Sequence, residues 1–347
     1  MRHFSHHKRL SPKTMLTQLA EWTDADLDAD RYGQGDLIST FEVEIAELLG
    51  KDAAVFMPSG TMAQQIALRI WCDRQDSNHI AFHPLAHLQI HEQMAYEKLH
   101  GLQATLVGES DRLMTLDDVQ QIEQPLATLL IELPQREIGG QLPTWAELEA
   151  ITGYAREQGV RLHMDGARLW ECQPFYQRSY AEIAALFDSV YVSFYKIMQG
   201  IAGAVLAGPQ DFIDEARIWQ RRHGGNLVML YPYVLSAKMG MQQHFPRIPE
   251  YVARAKDFAA AIQHFPQIAQ ISPNPPQTNM MHVQFDMDVE VLRQALANLR
   301  DNEGIEISWG VSDSGIIEFS IGEANLEFEL DEIVAVFDRL FAYAVRE

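Results

Sequence analysis

Between residues 53 and 206, short apolar runs alternate with longer stretches whose apolar positions recur at helical spacing. The runs fall at 53–57, 80–82, 104–107, 128–133, 161–164, 190–194 and 202–206, and each reads as a buried strand. Residues 62–72, 87–100, 116–124 and 145–158 read as helices between them; in the last, Leu148, Ile151, Tyr154 and Ala155 share one face. Alternating strands and helices predict an α/β fold: a seven-stranded, mostly parallel sheet sandwiched by helices. Only a few residues join the last two runs, so one of them is expected to run antiparallel.

Ahead of this region the pattern predicts a short helix at 12–23, a turn at Arg31-Tyr32-Gly33-Gln34-Gly35 and a helix at 39–49 closed by Gly50. Beyond Gly208 come helices at 210–223, 230–244 and 251–264, then a stiff connector, Ile271-Ser-Pro-Asn-Pro-Pro276. A strand at 280–285, a helix at 289–301, strands at 305–309 and 316–321 and a last helix at 331–345 complete the chain. The expected division is an N-terminal segment (1–35), a large domain (36–245) and a small C-terminal α+β domain (246–347).

The charge narrows the possible partners. With 27 Lys+Arg against 48 Asp+Glu the net charge is -21, which disfavours nucleic acid and anionic membrane surfaces. The apolar region at 186–208 contains Asp188, Lys196 and Gln199, so it reads as two strands rather than a membrane span. The two cysteines, Cys72 and Cys172, form no C-x-x-C pair, and residues 1–13 lack the apolar stretch of a signal peptide. A cytoplasmic protein is expected.

Three segments carry candidate chemistry. Lys196 sits between two apolar strands, where burial would lower its pKa and suit imine formation with a carbonyl, although a lysine snorkelling from a strand end would look the same. Asp165 ends the run Val160–Met164 in His163-Met-Asp165-Gly-Ala-Arg168, the strand end at which α/β proteins bind ligands. Arg168 could take an anion, or simply pair with Asp165. Ser59, Gly60 and Thr61 join a strand to a helix and could cradle a phosphate, or cap the helix in the ordinary way. No dinucleotide or P-loop pattern is present. His79, His83, His87 and His91 recur every four residues beside Glu92, but Pro84 breaks the run, so no metal site is expected; an imidazole could instead lie flat on an aromatic ligand.

Taken in order, these segments resemble the threonine aldolase and β-eliminating lyase family of pyridoxal-phosphate enzymes. The resemblance is carried by Tyr32-Gly33, Phe56-Met-Pro-Ser-Gly60-Thr61-Met62-Ala63, Ala86-His87, Glu132 with Gly139-Gly140, Asp165-Gly-Ala-Arg168-Leu169, Lys196 with Gly200 to Gly203, and His223-Gly-Gly. It covers roughly residues 30–230. It implies a type I pyridoxal-phosphate fold in which Lys196 holds the cofactor as a Schiff base and Asp165 pairs with the pyridine nitrogen. Ser59, Gly60 and Thr61 would bind the phosphate, His87 would stack on the ring, and Arg168 would lie near the substrate carboxylate. It also implies a homodimer or homotetramer with shared active sites, to which Tyr32 and the stretch Arg221-Arg222-His223-Gly224-Gly225 could reach across.

The departures cluster on the substrate side. Leu133-Pro-Gln135-Arg136 replaces the family's Thr-His-Asn, Glu318 stands where an arginine is usual, and Ser5-His-His-Lys-Arg9 replaces Ser-Asp-Thr-Val-Thr. The expected reaction is retro-aldol cleavage of a β-hydroxy-α-amino acid to glycine and an aldehyde. His87 is the expected base, Gln135 and Tyr32 are expected at the substrate, and threonine is expected to be a poor substrate. Arg136 is a candidate carboxylate clamp. The alternatives are β-elimination to a keto acid and ammonia, a cofactor-binding protein with little catalysis, and, more remotely, a metal hydrolase on the His79–His91 region.

Overall fold

The structure is a computed structural model that describes residues 1–308 and 310–345. The chain divides into two compact units, one of Thr14–Glu137 and Leu142–Phe245, the other of Met1–Lys13, Ile138–Gln141 and Pro246–Glu347.

The larger unit is built on seven strands: β1 (Ala53–Met57), β2 (His79–Phe82), β3 (Gln103–Leu106), β4 (Thr128–Glu132), β5 (Arg161–Gly166), β6 (Ser189–Ser193) and β7 (Ala204–Gly208). They form one sheet in the order β1-β7-β6-β5-β4-β2-β3. All seven predicted runs are present. Strand β7 is antiparallel to both its neighbours, and the remaining pairings are parallel. Every residue of β4, β6 and β7 is buried, because helices cover both faces of the sheet.

Three helices precede or follow the first strand: α1 (Pro12–Trp22), α2 (Asp36–Leu49) and α3 (Gly60–Arg74). α2 ends at Gly50, whose φ of 60° suits glycine and lets the Lys51 N–H reach the Ala46 carbonyl at 2.9 Å. Helix Trp145–Glu157 opens on a capping box between Thr144 and Glu147 and buries Leu148, Ile151 and Ala155. The single helix expected at 87–100 is instead two, His87–Ile90 and Ala95–His100. Gln93 and Met94 adopt left-handed φ of 53° and 58°, which a continuous helix does not admit. The helix expected at 116–124 stops at Gln120, ahead of Pro125.

The smaller unit carries a three-stranded antiparallel sheet of β8 (Ile268–Ser272), β9 (Met280–Phe285) and β10 (Ile316–Ser320), in the order β10-β9-β8. The stretch expected as a stiff connector from residue 271 therefore starts inside an edge strand. Helix Ile248–Ile262 starts earlier than expected, because Pro249 lies in its first turn, where the missing N–H costs no hydrogen bond. Of the strand expected at 305–309, Ile305–Glu306 is formed and Trp309 lies outside the described residues.

Arg2–His3 pairs in parallel with Ile305–Glu306, and Phe4 is fully buried against the rings of Phe258, Phe328 and Phe337. This is why Met1–Lys13 belongs to the smaller unit. Residues Ile138–Gln141 belong there too: a Cβ on Gly139, at φ 88°, would collide with the Ser272 carbonyl, and Gln141 Nε2 donates to Ser272 Oγ at 3.2 Å.

Candidate active site

The chemistry-bearing residues of the larger unit gather at one edge of its sheet. Glu132 ends β4, Asp165 lies at the end of β5, and Lys196 follows β6. The register sets Glu132 beside Asp165 and Asp165 beside Tyr191. α3 opens directly after β1 at the same edge. Ligands bind at the carboxyl ends of such strands because the backbone must turn there and leaves a crevice.

Asp165 is 2% exposed. Its Oδ1 accepts the Ala167 N–H at 3.1 Å and its Oδ2 accepts the side-chain amide of Gln64. Burial pushes its pKa up, and the charge of His87, the Ala167 N–H and the Gln64 amide oppose that push. Both oxygens thus receive N–H donors, as an ionised carboxylate requires. Arg168 does not pair with it: among the described residues its half-buried guanidinium makes no hydrogen bond or ion pair. Lys196 is half-buried, with Nζ 5.0 Å from the centre of the Tyr195 ring.

His87 is held by two carboxylates. Its backbone N–H donates to Glu132 Oε2 at 3.2 Å, and its Nδ1 lies 2.9 Å from Glu92 Oε1. Glu92 Oε2 in turn accepts the Gln65 amide at 2.7 Å. Burial opposes a charge on His87, but the Glu92 hydrogen bond and the charges of Asp165, Glu92 and Glu132 outweigh it and raise its pKa. With Nδ1 on Glu92, Nε2 is the nitrogen left for chemistry. Glu132 is itself pushed up, by burial and then by the Asp165 charge.

Neighbouring glutamines on α3 therefore serve two buried carboxylates, Gln64 for Asp165 and Gln65 for Glu92. No motif in the sequence singles out Gln64 or Gln65, and Glu92 stands there only as a companion to the histidines. The available signal was polar side chains at adjacent positions of an otherwise apolar helical stretch.

Ser59 is the N-cap of α3, but its side chain makes no capping bond. The hydroxyl is left for a ligand beside the first-turn amides, which have no partner within a helix. Gly60 must be glycine: a Cβ there would occupy the space of the Tyr191 hydroxyl and ring. Thr61 follows in the first turn.

The other candidates make contacts of their own. Gln135 is 3% exposed and donates from Nε2 to the Leu85 carbonyl at 3.0 Å and to Glu132 at 3.4 Å. Both contacts direct its amide hydrogens to groups within the protein. Tyr32 is 49% exposed at φ 55°, and its N–H donates to the Val228 carbonyl at 2.9 Å. Arg136 pairs with Glu137 at 2.8 Å, and Glu137 also pairs with His91 at 2.8 Å. In the smaller unit, Glu318 faces His282 across the β9–β10 ladder at 3.6 Å. His83 Nε2 lies 2.9 Å from the carbonyls of both Glu109 and Arg112.

This sheet order, with its lysine, aspartate and helix start at one edge, is the arrangement of the type I pyridoxal-phosphate fold. The family model described as β-eliminating lyase matches residues 13–288, and the chain belongs to that family. A Listeria monocytogenes structure provisionally assigned as an L-allo-threonine aldolase is 44% identical, with a TM-score of 0.94 over 99% of this chain and 96% of that one. An Exiguobacterium structure provisionally described as an aromatic amino acid β-eliminating lyase/threonine aldolase is 43% identical, with a TM-score of 0.94 over 99% and 97%. Low-specificity L-threonine aldolase 1 of Arabidopsis thaliana is 25% identical over 83% of each chain.

Proposed function

We propose that this chain is a pyridoxal-phosphate-dependent carbon–carbon lyase that cleaves a β-hydroxy-α-amino acid to glycine and an aldehyde. One observation carries the reading. At a single sheet edge stand Asp165, fed only by N–H donors, Lys196, and a His87–Glu92 pair. The residues fit the cofactor. Asp165 is a buried acceptor for a cationic ring nitrogen, and Lys196 is the amine for the cofactor's aldehyde. Ser59, Gly60, Thr61 and the start of α3 suit the phosphate, and His87 suits the ring face.

When bound, the cofactor supplies an electron sink for the carbanion left at Cα. The protein supplies the rest. Arg168 offers its guanidinium to the substrate carboxylate. Glu92 fixes the His87 tautomer, so that Nε2 takes the proton of the β-hydroxyl. The neutral Gln135 amide cannot take a proton at neutral pH, so that task falls to His87. Threonine is expected to turn over more slowly than another, larger β-substituted amino acid, since Leu133-Pro-Gln135-Arg136 replaces the family's Thr-His-Asn.

Product analysis over a panel of amino acids tests the reaction. Glycine plus aldehyde, lost in Lys196→Ala, is the expected result. A keto acid with ammonia, or no turnover of any substrate, overturns it. A homodimer or homotetramer is also proposed. The exposed Tyr32 ring and its neighbours Val228 and Met229, 52% and 50% exposed, support it. A monomeric active species in sedimentation would refute it.

A further inference from the structure

Behind Asp165 a line of buried side chains continues from the Gln64 contact into the interior. Residues 163 and 165 alternate along β5, so both face the same side of the sheet, the side on which α3 contributes Gln64. Trp71 lies two turns further along α3, on the same stripe. His163 and Ser189 are cross-strand partners on β5 and β6. Gln64, His163, Ser189 and Trp71 are 1%, 0%, 0% and 2% exposed.

Their polar atoms meet end to end. Trp71 Nε1 donates to Ser189 Oγ at 2.7 Å, and Ser189 Oγ lies 2.8 Å from His163 Nδ1. His163 Nε2 lies 2.9 Å from Gln64 Oε1, and Gln64 Nε2 donates to Asp165 Oδ2.

The chemistry of each group sets the direction of the line. Burial drives the His163 pKa down to about 3, so the ring carries one proton. An amide oxygen only accepts, so that proton is on Nε2. An indole N–H only donates, so Ser189 receives it and turns its own hydroxyl proton to the bare Nδ1. Every donor then points towards Asp165. In the reverse arrangement Gln64 would present its oxygen to Asp165, which would have to be protonated, and the Ser189 proton would lose its acceptor in the line.

We propose that His163 is a positioning residue which, through Gln64, keeps Asp165 ionised and aimed at a cationic ring nitrogen. This rests on the reading of Asp165 as partner of the pyridine nitrogen. The test loads the protein with pyridoxal phosphate isotope-labelled at that nitrogen and follows its NMR shift against pH. In His163→Phe the proton affinity of the ring nitrogen should fall about tenfold or more, a titration midpoint about one unit lower. Gln64→Met should do the same, and it carries the test if His163→Phe does not fold. His163→Gln keeps an N–H towards Gln64 and should stay within about threefold of the parent. Asp165→Asn separates the two claims, since it should abolish ring protonation whatever His163 does. If Asp165→Asn moves the midpoint while His163→Phe and Gln64→Met do not, the relay is wrong and the reading of Asp165 survives. If Asp165→Asn moves nothing, the cofactor reading itself falls. If His163→Gln behaves like His163→Phe, ring volume rather than the N–H is responsible, and the relay is again overturned.

Discussion

Asp165 and Glu171 lie on either side of Arg168 and are equally hidden, each 2% exposed. Burial pushes both carboxyl groups towards the neutral form. At Asp165, N–H donors from Ala167 and Gln64 oppose that push. Glu171 receives its own backbone N–H, but among the described residues its Oε2 has no hydrogen-bond partner, and burial drives the group up to about 8 against the Arg168 charge, that N–H and the Lys196 charge. At equal depth the two acids differ in how fully their oxygens are supplied with donors, both oxygens at Asp165 and not both at Glu171.

Replacing the supplied carboxylate should have the largest effect. Asp165→Asn keeps the shape but removes the charge, and should lower kcat by about 10³-fold or more. Steady-state kinetics within tenfold of the parent would place the essential anion elsewhere.

Next comes the second carboxylate that receives a glutamine amide. Glu92→Gln should cost about 10²-fold, the usual contribution of a positioned base. It should also move the acid limb of the kcat/KM profile to lower pH. A base must be unprotonated to act, and the Glu92 hydrogen bond is the largest of the influences, with the charges of Asp165, Glu92 and Glu132, that raise His87 above its ordinary value of 6.5. An unmoved limb would remove His87 from the role.

The smallest effect is expected at Glu171, the less fully supplied group, and on stability rather than rate. Glu171 binds its proton more tightly in the folded state than in the unfolded one, where its value is 4.5. The contribution of Glu171 to stability should therefore be fully present below about 4.5 and be lost as pH rises to about 8. Glu171→Gln should flatten that slope and gain about 1–3 kcal/mol above it. Denaturation across the pH range would decide; an unchanged slope would mean that Glu171 has a partner when folded.

Much of this was legible along the chain. The seven strands announced themselves because strands covered on both faces read as unbroken apolar runs, as at Val190–Val192. The strand-end aspartate and the lysine between apolar strands were visible for the same reason, since a charge in such a setting is conspicuous. β8 was not, because an edge strand with exposed Ala269 and Gln270 lacks that signature.

The sequence by itself determined the sheet, most of the helices and the residues that resemble a cofactor site, because these depend on local periodicity and on short segments. Tertiary structure alone decided what each polar side chain faces. Glu92 reaches His87 because two left-handed residues break the helix after it. Phe4 fills a core built from residues more than 250 positions later. Gln64, His163, Ser189 and Trp71 form one line only because α3 lies over β5 and β6. Hydrogen-bond direction depends on distances of a few tenths of an ångström between segments far apart in the chain, and no local pattern encodes those distances.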